Sequence, residues 1–231
     1  MEAKISIIGQ KTVIYAEKIQ KYYDKDYFLR RYNSLPVYRR EKIDALKRAA
    51  NKYQSLCAEM LLRKALKNAG YDPDELTVSF GPHGKGYFKE IKEKFNYNIS
   101  HSGEYVICAV NHGPEEIGCD IEKIREIDPK TPERFFTENE CKMINRSKTE
   151  SERTRTFFRI WTLKESFIKA TGYGFSLPFK SFETEINGKT SAVRQNVTPK
   201  SYILGTRFTR DGYVVSWCSE TKSDGAGSCP Y

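Results

Sequence analysis

Residues Glu116–Ile124 read EIGCDIEKI. Ile117, Cys119 and Ile121 alternate with Gly118, Asp120 and Glu122, the period-two pattern of a strand with one apolar face. Residues two apart on a strand share a face, so Asp120 and Glu122 project together, with Cα atoms about 6–7 Å apart. Two carboxylates on one face repel each other unless a cation lies between them. Such oxygen ligands suit Mg2+, which commonly takes one or two carboxylates together with phosphate oxygens and water. An edge strand with its acids turned to water is the plainer reading, and the pair taken alone favours it.

A later segment changes that balance. On a wheel of about 100° per residue, Phe157, Phe158, Ile160, Trp161, Phe167 and Ile168 fill one apolar arc, and Lys164 and Glu165 fall inside it. Charges within a core-facing stripe are costly unless they are paired or bound to something. Lys169, one turn after Glu165, lies at the edge of the same face. An internal ion pair would account for Lys164 alone; Lys164, Glu165 and Lys169 together point to a site.

Upstream, YNISHSGEYV (97–106) places Ser100, His101 and Ser102 at a strand end before Gly103. Hydroxyls, an imidazole and turn amides suit an anion. A Ser–His nucleophile pair fits less well, because strand neighbours face opposite ways and there is no G-x-S-x-G elbow. The turn GPHGKG (81–86) could bring backbone amides and Lys85 to a phosphate, although it lacks Walker A spacing. Arg39, Arg40, Lys42, Lys47 and Arg48 form a basic helix surface.

The chain has 231 residues, 39 Lys plus Arg against 30 Asp plus Glu, and a net charge of +9. That length makes one large domain or two small ones, and the basic balance suits an anionic partner. None of the six cysteines forms a C-x-x-C pair, and reduced, structural thiols are expected. No apolar run approaches the roughly 18–20 residues that span a bilayer. The opening MEAKISIIGQKTV carries no signal-peptide pattern, so a cytoplasmic protein without a membrane partner is expected.

Helical patterns and short strands alternate along the chain. The expectation is an α+β fold in two similar subdomains, each a small, mainly antiparallel sheet packed on a helix. Residues 1–113 and 114–221 form the halves, divided at the turn-rich NHGPEE, and residues 222–231 a disordered tail. The active site would lie in the cleft between the halves.

The order NISHSGEYVICAV, IGCDIEKI, RFFTENE, WTLKESFIKATGYGFSLP resembles the Sfp-type 4'-phosphopantetheinyl transferases. The last two match that family's F-[ST]-x-x-E and W-[ST]-x-K-E-[AS]-x-x-K patterns, and together the motifs span most of residues 80–180. The resemblance implies a pseudo-dimer that moves the phosphopantetheine arm of coenzyme A to a serine of an apo acyl or peptidyl carrier protein and releases adenosine 3',5'-bisphosphate. By the same resemblance, Asp120, Glu122 and Glu165 would hold Mg2+ against the pyrophosphate, with Asp120, Glu165 and Lys169 as the catalytic set. Ser100 and His101 would contact phosphates, Lys164 and Lys169 would neutralise the pyrophosphate, Arg39 and Lys42 would meet the 3'-phosphate, and Lys85 would lie near the adenine or phosphates. The partner would be an acidic, helical carrier domain, docked near the segment after Glu122 and the helix TENECKMI, and the enzyme would act as a monomer. The chain departs from the pattern at Gly86, where proline is usual and a looser loop is therefore expected, and at Gln54, where a basic residue is common.

Two rival classes make different demands. A nucleic-acid-binding module would suit the charge and the tyrosines, but the chain carries no RRM, KH, zinc-finger or homeodomain signature, and the acids among apolar residues would go unexplained. A carrier-binding protein without catalysis would not need Asp120, Glu122, Glu165 and Lys169 together.

Overall fold

The structure is a computed structural model that describes residues 3–6, 12–187 and 190–221. It opens with strands β1 (Ala3–Ser6) and β2 (Thr12–Lys18). Helices α1 (Lys25–Asn33), α2 (Val37–Asp44) and α3 (Ala49–Asn68) follow. The small hairpin β3 (Val78–Phe80) and β4 (Gly86–Phe88) leads into β5 (Asn96–Ser102) and β6 (Tyr105–Asn111). Strand β7 (Ile117–Lys123) is followed by α4 (Thr131–Phe135), α5 (Glu138–Asn145) and the long α6 (Glu150–Thr171). Strands β8 (Glu183–Asn187), β9 (Thr190–Arg194), β10 (Tyr202–Phe208) and β11 (Tyr213–Glu220) close the described chain.

Strand order is β1-β2-β6-β5 in one antiparallel sheet and β7-β11-β10-β9-β8 in the other, with β3-β4 apart. The protein is α+β with two subdomains, as the sequence pattern leads one to expect. Alternation along each strand sorts side chains into layers. Tyr15, Val106, Cys108 and Val110 face a core with Leu56, Leu61 and Leu66 of α3. Ile14, Ile107 and Ala109 turn the other way and meet Ile117, Cys119, Ile121 and Val215 of the second sheet. The outer face of that sheet carries Val214 against Phe157, Phe158 and Ile160, and Leu204 and Cys218 against Leu163 and Phe167, all five from α6. Burying each large side chain of this kind contributes about 1.5–3 kcal/mol, which fixes the rotation of α6 about its axis.

Close approaches at Gly118 and Gly86 bear on the site and on the sequence expectations. At Gly118 the backbone of α6 lies directly on β7: a Cβ there would collide with Ser166 O and the backbone of Ala170. Gly86, the departure expected to loosen its loop, is instead held in β4 opposite Phe80. A Cβ on it would stand 2.6 Å from the hydroxyl of Tyr97, so glycine admits the tyrosine and a proline ring would not. The helical pattern from Val37 to Gly70 breaks into α2 and α3. The segment 222–231 lies outside the described residues.

Gly118→Ala is expected to force α6 off β7 and to cost about 1–3 kcal/mol, as overpacking does. The urea midpoint reads this, and an unchanged midpoint would show that the helix shifts freely.

Candidate active site

Strands β5 and β7 come from the two sheets and lie side by side where the sheets meet. Cys119 N–H donates to Asn98 Oδ1 at 2.9 Å, and Cys119 Sγ lies 3.3 Å from Asn98 O. The odd residues of β7 anchor in the inter-sheet core, which turns Asp120 and Glu122 toward α6. A cavity of about 300 Å3 there is lined by Ser100, His101, Asp120, Glu122, Trp161, Glu165 and Lys169, with Ile99.

Asp120 is the most enclosed of the three acids, at 4% exposure. Its Oδ1 accepts from Lys169 Nζ at 2.6 Å and from Ser100 Oγ at 2.8 Å, and Lys169 also donates to Ser100 Oγ at 3.0 Å. Its Oδ2 is buried and has no hydrogen-bond partner. Glu122 accepts from Ser102 Oγ at 2.9 Å and from Arg125 at 3.3 Å. Burial raises the Asp120 pKa against the pull of Lys169. Burial also raises that of Glu165, reinforced by the charges of Asp120 and Glu122. For Lys169 burial acts to lower the pKa, but Asp120 outweighs it and the net shift is upward.

Among the described residues, no three His, Cys, Asp or Glu side chains stand close enough to enclose an ion by themselves. The donor set nonetheless fits Mg2+. A buried carboxylate oxygen without a partner is an open ligand position, two further carboxylates line the same cavity, and Mg2+ takes much of its shell from substrate phosphates and water.

Lys164 is not in this cavity. It is fully buried, at 0% exposure, on another face of α6. Its ammonium donates to both oxygens of Glu140, at 2.8 and 2.9 Å, and to Phe182 O at 2.6 Å. Glu140, also at 0% exposure, accepts in addition from Thr184 N–H and Oγ1 and from Thr137 N–H. The expected pyrophosphate contact is therefore corrected. A lysine saturated inside the core cannot meet a ligand, and the ion-pair reading of this residue is the right one. Nothing in the local pattern pairs Lys164 with Glu140, although Thr137-x-x-Glu140 is a capping-box sequence and the structure forms that box.

Lys85 is also engaged elsewhere, donating to Ile117 O at 3.1 Å and Ala170 O at 2.5 Å. Arg39 pairs with Glu59. Lys42 is exposed, with its ammonium 5.0 Å from the centre of the Phe80 ring. Both lie on α2, outside the lining of the carboxylate cavity. Trp161, which the apolar arc assigned to the core, walls that cavity and stacks on Phe157. Ser102, grouped in the sequence with Ser100 and His101 as suited to an anion, donates to the Glu122 carboxylate.

Comparisons with known proteins identify the family. Residues 24–113 match the family described as 4'-phosphopantetheinyl transferase, N-terminal, and residues 116–222 match the 4'-phosphopantetheinyl transferase superfamily. The 4'-phosphopantetheinyl transferase gsp of Aneurinibacillus migulanus is 35% identical over 184 residues, 78% of this chain and 75% of that one. The 4'-phosphopantetheinyl transferase Sfp of Bacillus subtilis (strain 168) is 33% identical over 184 residues, 78% and 80% of the two chains. A holo-(acyl-carrier-protein) synthase from Bacillus anthracis shows a slight structural likeness, with TM-score 0.40, 22% identity and coverage of 46% and 94%. The chain belongs to the 4'-phosphopantetheinyl transferase superfamily. It is an enzyme that transfers phosphopantetheine to a carrier protein.

Two predictions follow the charges. Lys164→Met leaves Glu140 buried and unpaired and is expected to cost about 3–5 kcal/mol. Adding Glu140→Gln should recover part of that loss, and additive losses in urea unfolding would show that the pair is not coupled. Glu165→Gln should raise the thermal midpoint of the metal-free protein at pH 7. The folded-state pKa of Glu165 lies above its unfolded value, so ionising it opposes folding. The gain should vanish by about pH 3, below the unfolded pKa, where the carboxyl is protonated in both states; equal midpoints at pH 7 would mean that Glu165 ionises without cost.

Proposed function

We propose that the cleft binds coenzyme A and Mg2+, and that the acceptor is a serine hydroxyl of an apo acyl or peptidyl carrier domain. The observation that carries this reading is Asp120. It is buried, its Oδ1 is held by Lys169 and Ser100, and its Oδ2 has no partner beside Glu122 and Glu165. A carboxylate so enclosed in a protein of net charge +9 is suited to sharing a cation with an anionic substrate.

Asp120, Glu122 and Glu165 would hold the metal. When bound, Mg2+ offsets charge on the pyrophosphate. Phosphoryl transfer otherwise asks for positioning and neutralisation. Lys169 keeps its proton beside the cavity and delivers positive charge, or the proton itself, to the departing phosphate. Ser100 orients Lys169, and both Ser100 and His101 offer hydrogen bonds to phosphate oxygens. Glu165, on the wall of the same cavity, is placed to accept the serine proton. Arg39 and Lys42 on α2 are assigned to the 3'-phosphate, which requires Arg39 to exchange Glu59 for the ligand.

The same reading divides the chain at residues 113 and 114, takes the enzyme as a cytoplasmic monomer and makes its partner an acidic helical domain, which a basic surface attracts. Among the described residues no helix is long and apolar enough to cross a membrane.

The test is incubation with coenzyme A, Mg2+ and an apo carrier, read by intact mass. The carrier should gain a phosphopantetheine arm, chelation should stop the reaction, and Asp120→Ala should lower kcat by about 100-fold or more with the fold unchanged by circular dichroism. No modification of peptidyl or acyl carriers would overturn the proposal, and near-normal turnover of Asp120→Ala would remove Asp120 from the site.

A further inference from the structure

Lys85 lies in the turn between β3 and β4. The turn is closed by Gly81 N–H to Lys85 O at 2.9 Å and Gly84 N–H to Gly81 O at 3.0 Å, with Gly84 at φ +84°. From this frame the Lys85 side chain leaves its own subdomain and reaches two elements of the other. Its two acceptors are Ile117 O, at the start of β7, and Ala170 O, in the last turn of α6. Carbonyls in the last turn of a helix have no partner within the helix, and a cation is favoured there. Gly172, at φ +73°, ends α6, and a Cβ on it would stand 3.3 Å from Lys85 Cδ. The helix stop therefore also leaves room for the lysine stem. One residue beyond Ile117 is Gly118, where α6 rests on β7, and one residue before Ala170 is Lys169, which holds Asp120.

We infer that Lys85 is a positioning residue for the transfer reaction: it staples the start of β7 and the end of α6 to the N-terminal subdomain, and so sets Lys169 on Asp120. This rests on the transferase reading of the cleft. A direct contact between Lys85 and a ligand phosphate would require the ammonium to give up both carbonyls. Burial pushes its pKa down to about 8, with Glu116 pulling the other way. A neutral amine still carries two N–H groups, one for each acceptor, so the staple holds in either protonation state. Removing the ammonium has opposing effects on stability. Two acceptors lose a donor, but the cost of burying a cation is lifted. The fold is thus expected to survive while the geometry of the site suffers.

The experiment compares Lys85→Met and Lys85→Arg with the unaltered chain. Amide hydrogen exchange of the free protein reads the staple without any substrate. Lys85→Met should speed exchange across Lys169–Gly172 on the order of tenfold and leave α3 unchanged, and Lys85→Arg should restore protection. In the transfer assay Lys85→Met should lower kcat about tenfold and move KM for coenzyme A less than about twofold, the pattern of a lost transition-state arrangement rather than lost ligand binding. A raised KM with unchanged kcat and unchanged exchange would make Lys85 a phosphate ligand and overturn the inference. So would a Lys85→Met protein with unaltered exchange and kinetics. Should Lys85→Met not fold, Lys85→Gln, with a shorter amide donor, carries the same two readouts. If the unaltered chain transfers nothing, the transferase reading fails while the exchange result still decides whether the staple exists.

Discussion

The backbone contact between α6 and β7 at Gly118 is the constraint on which the site depends. Helix and strand can touch there because no side chain intervenes, and the contact sets how far Glu165 and Lys169 stand from Asp120. With an ordinary residue at position 118 the helix would lie farther out, and the 2.6 Å bond from Lys169 to Asp120 would open. The helix is held in that position from several sides. Phe157, Phe158 and Phe167 are buried along it. Thr162 shares a 2.7 Å hydrogen bond with Ser216 of β11, and Lys164 is locked to Glu140 and Phe182. Three kinds of interaction on different faces of one helix leave it little freedom to rotate or slide, and a site that needs ångström-level placement benefits from a rigid element of that kind.

The lysines of the buried Lys164–Glu140 pair and the Lys169–Asp120 pair lie five residues apart on α6 but do different work. The first is closed. Glu140 is fully buried and receives donors from Thr137, Lys164 and Thr184. The second is open, because Asp120 keeps one buried oxygen without a partner and Lys169 sits at a cavity wall. A satisfied buried network fixes structure, whereas a partly satisfied one has capacity left for a ligand. This difference in saturation, rather than burial or charge alone, separates the residue that holds the helix from those that can act.

Much of this was legible in the sequence, for reasons tied to period. Alternation in EIGCDIEKI placed Ile117, Cys119 and Ile121 in a core and Asp120 and Glu122 on the other face, and the arc of α6 identified charges that needed an explanation. Both are properties of a single element. The partner of Lys164, the direction of Lys85 and the reason for glycine at 118 depend on which elements meet, and a local pattern does not carry that. Lys164 and Glu165 are neighbours in one apolar stripe, yet a rotation of about 100° sends one into a sealed core and the other to a cleft. Gly86 read as a source of looseness because the tyrosine that fills its missing side chain, Tyr97, arrives from a different strand.

The distribution of charge follows from the same geometry. A chain with nine excess positive charges can draw in a polyanionic substrate at long range, but a cleft lined only with lysines would bind product as firmly as substrate. Asp120, Glu122 and Glu165 line one cleft, where burial, with neighbouring acids adding to it, makes ionisation of Asp120 and Glu165 unfavourable. Lys169 offsets part of that cost at Asp120, and a cation shared with phosphate oxygens, as proposed, would offset more of it. The acids that look out of place in a basic chain are therefore costly in their ionised form unless a positive group stands beside them, as Lys169 does beside Asp120.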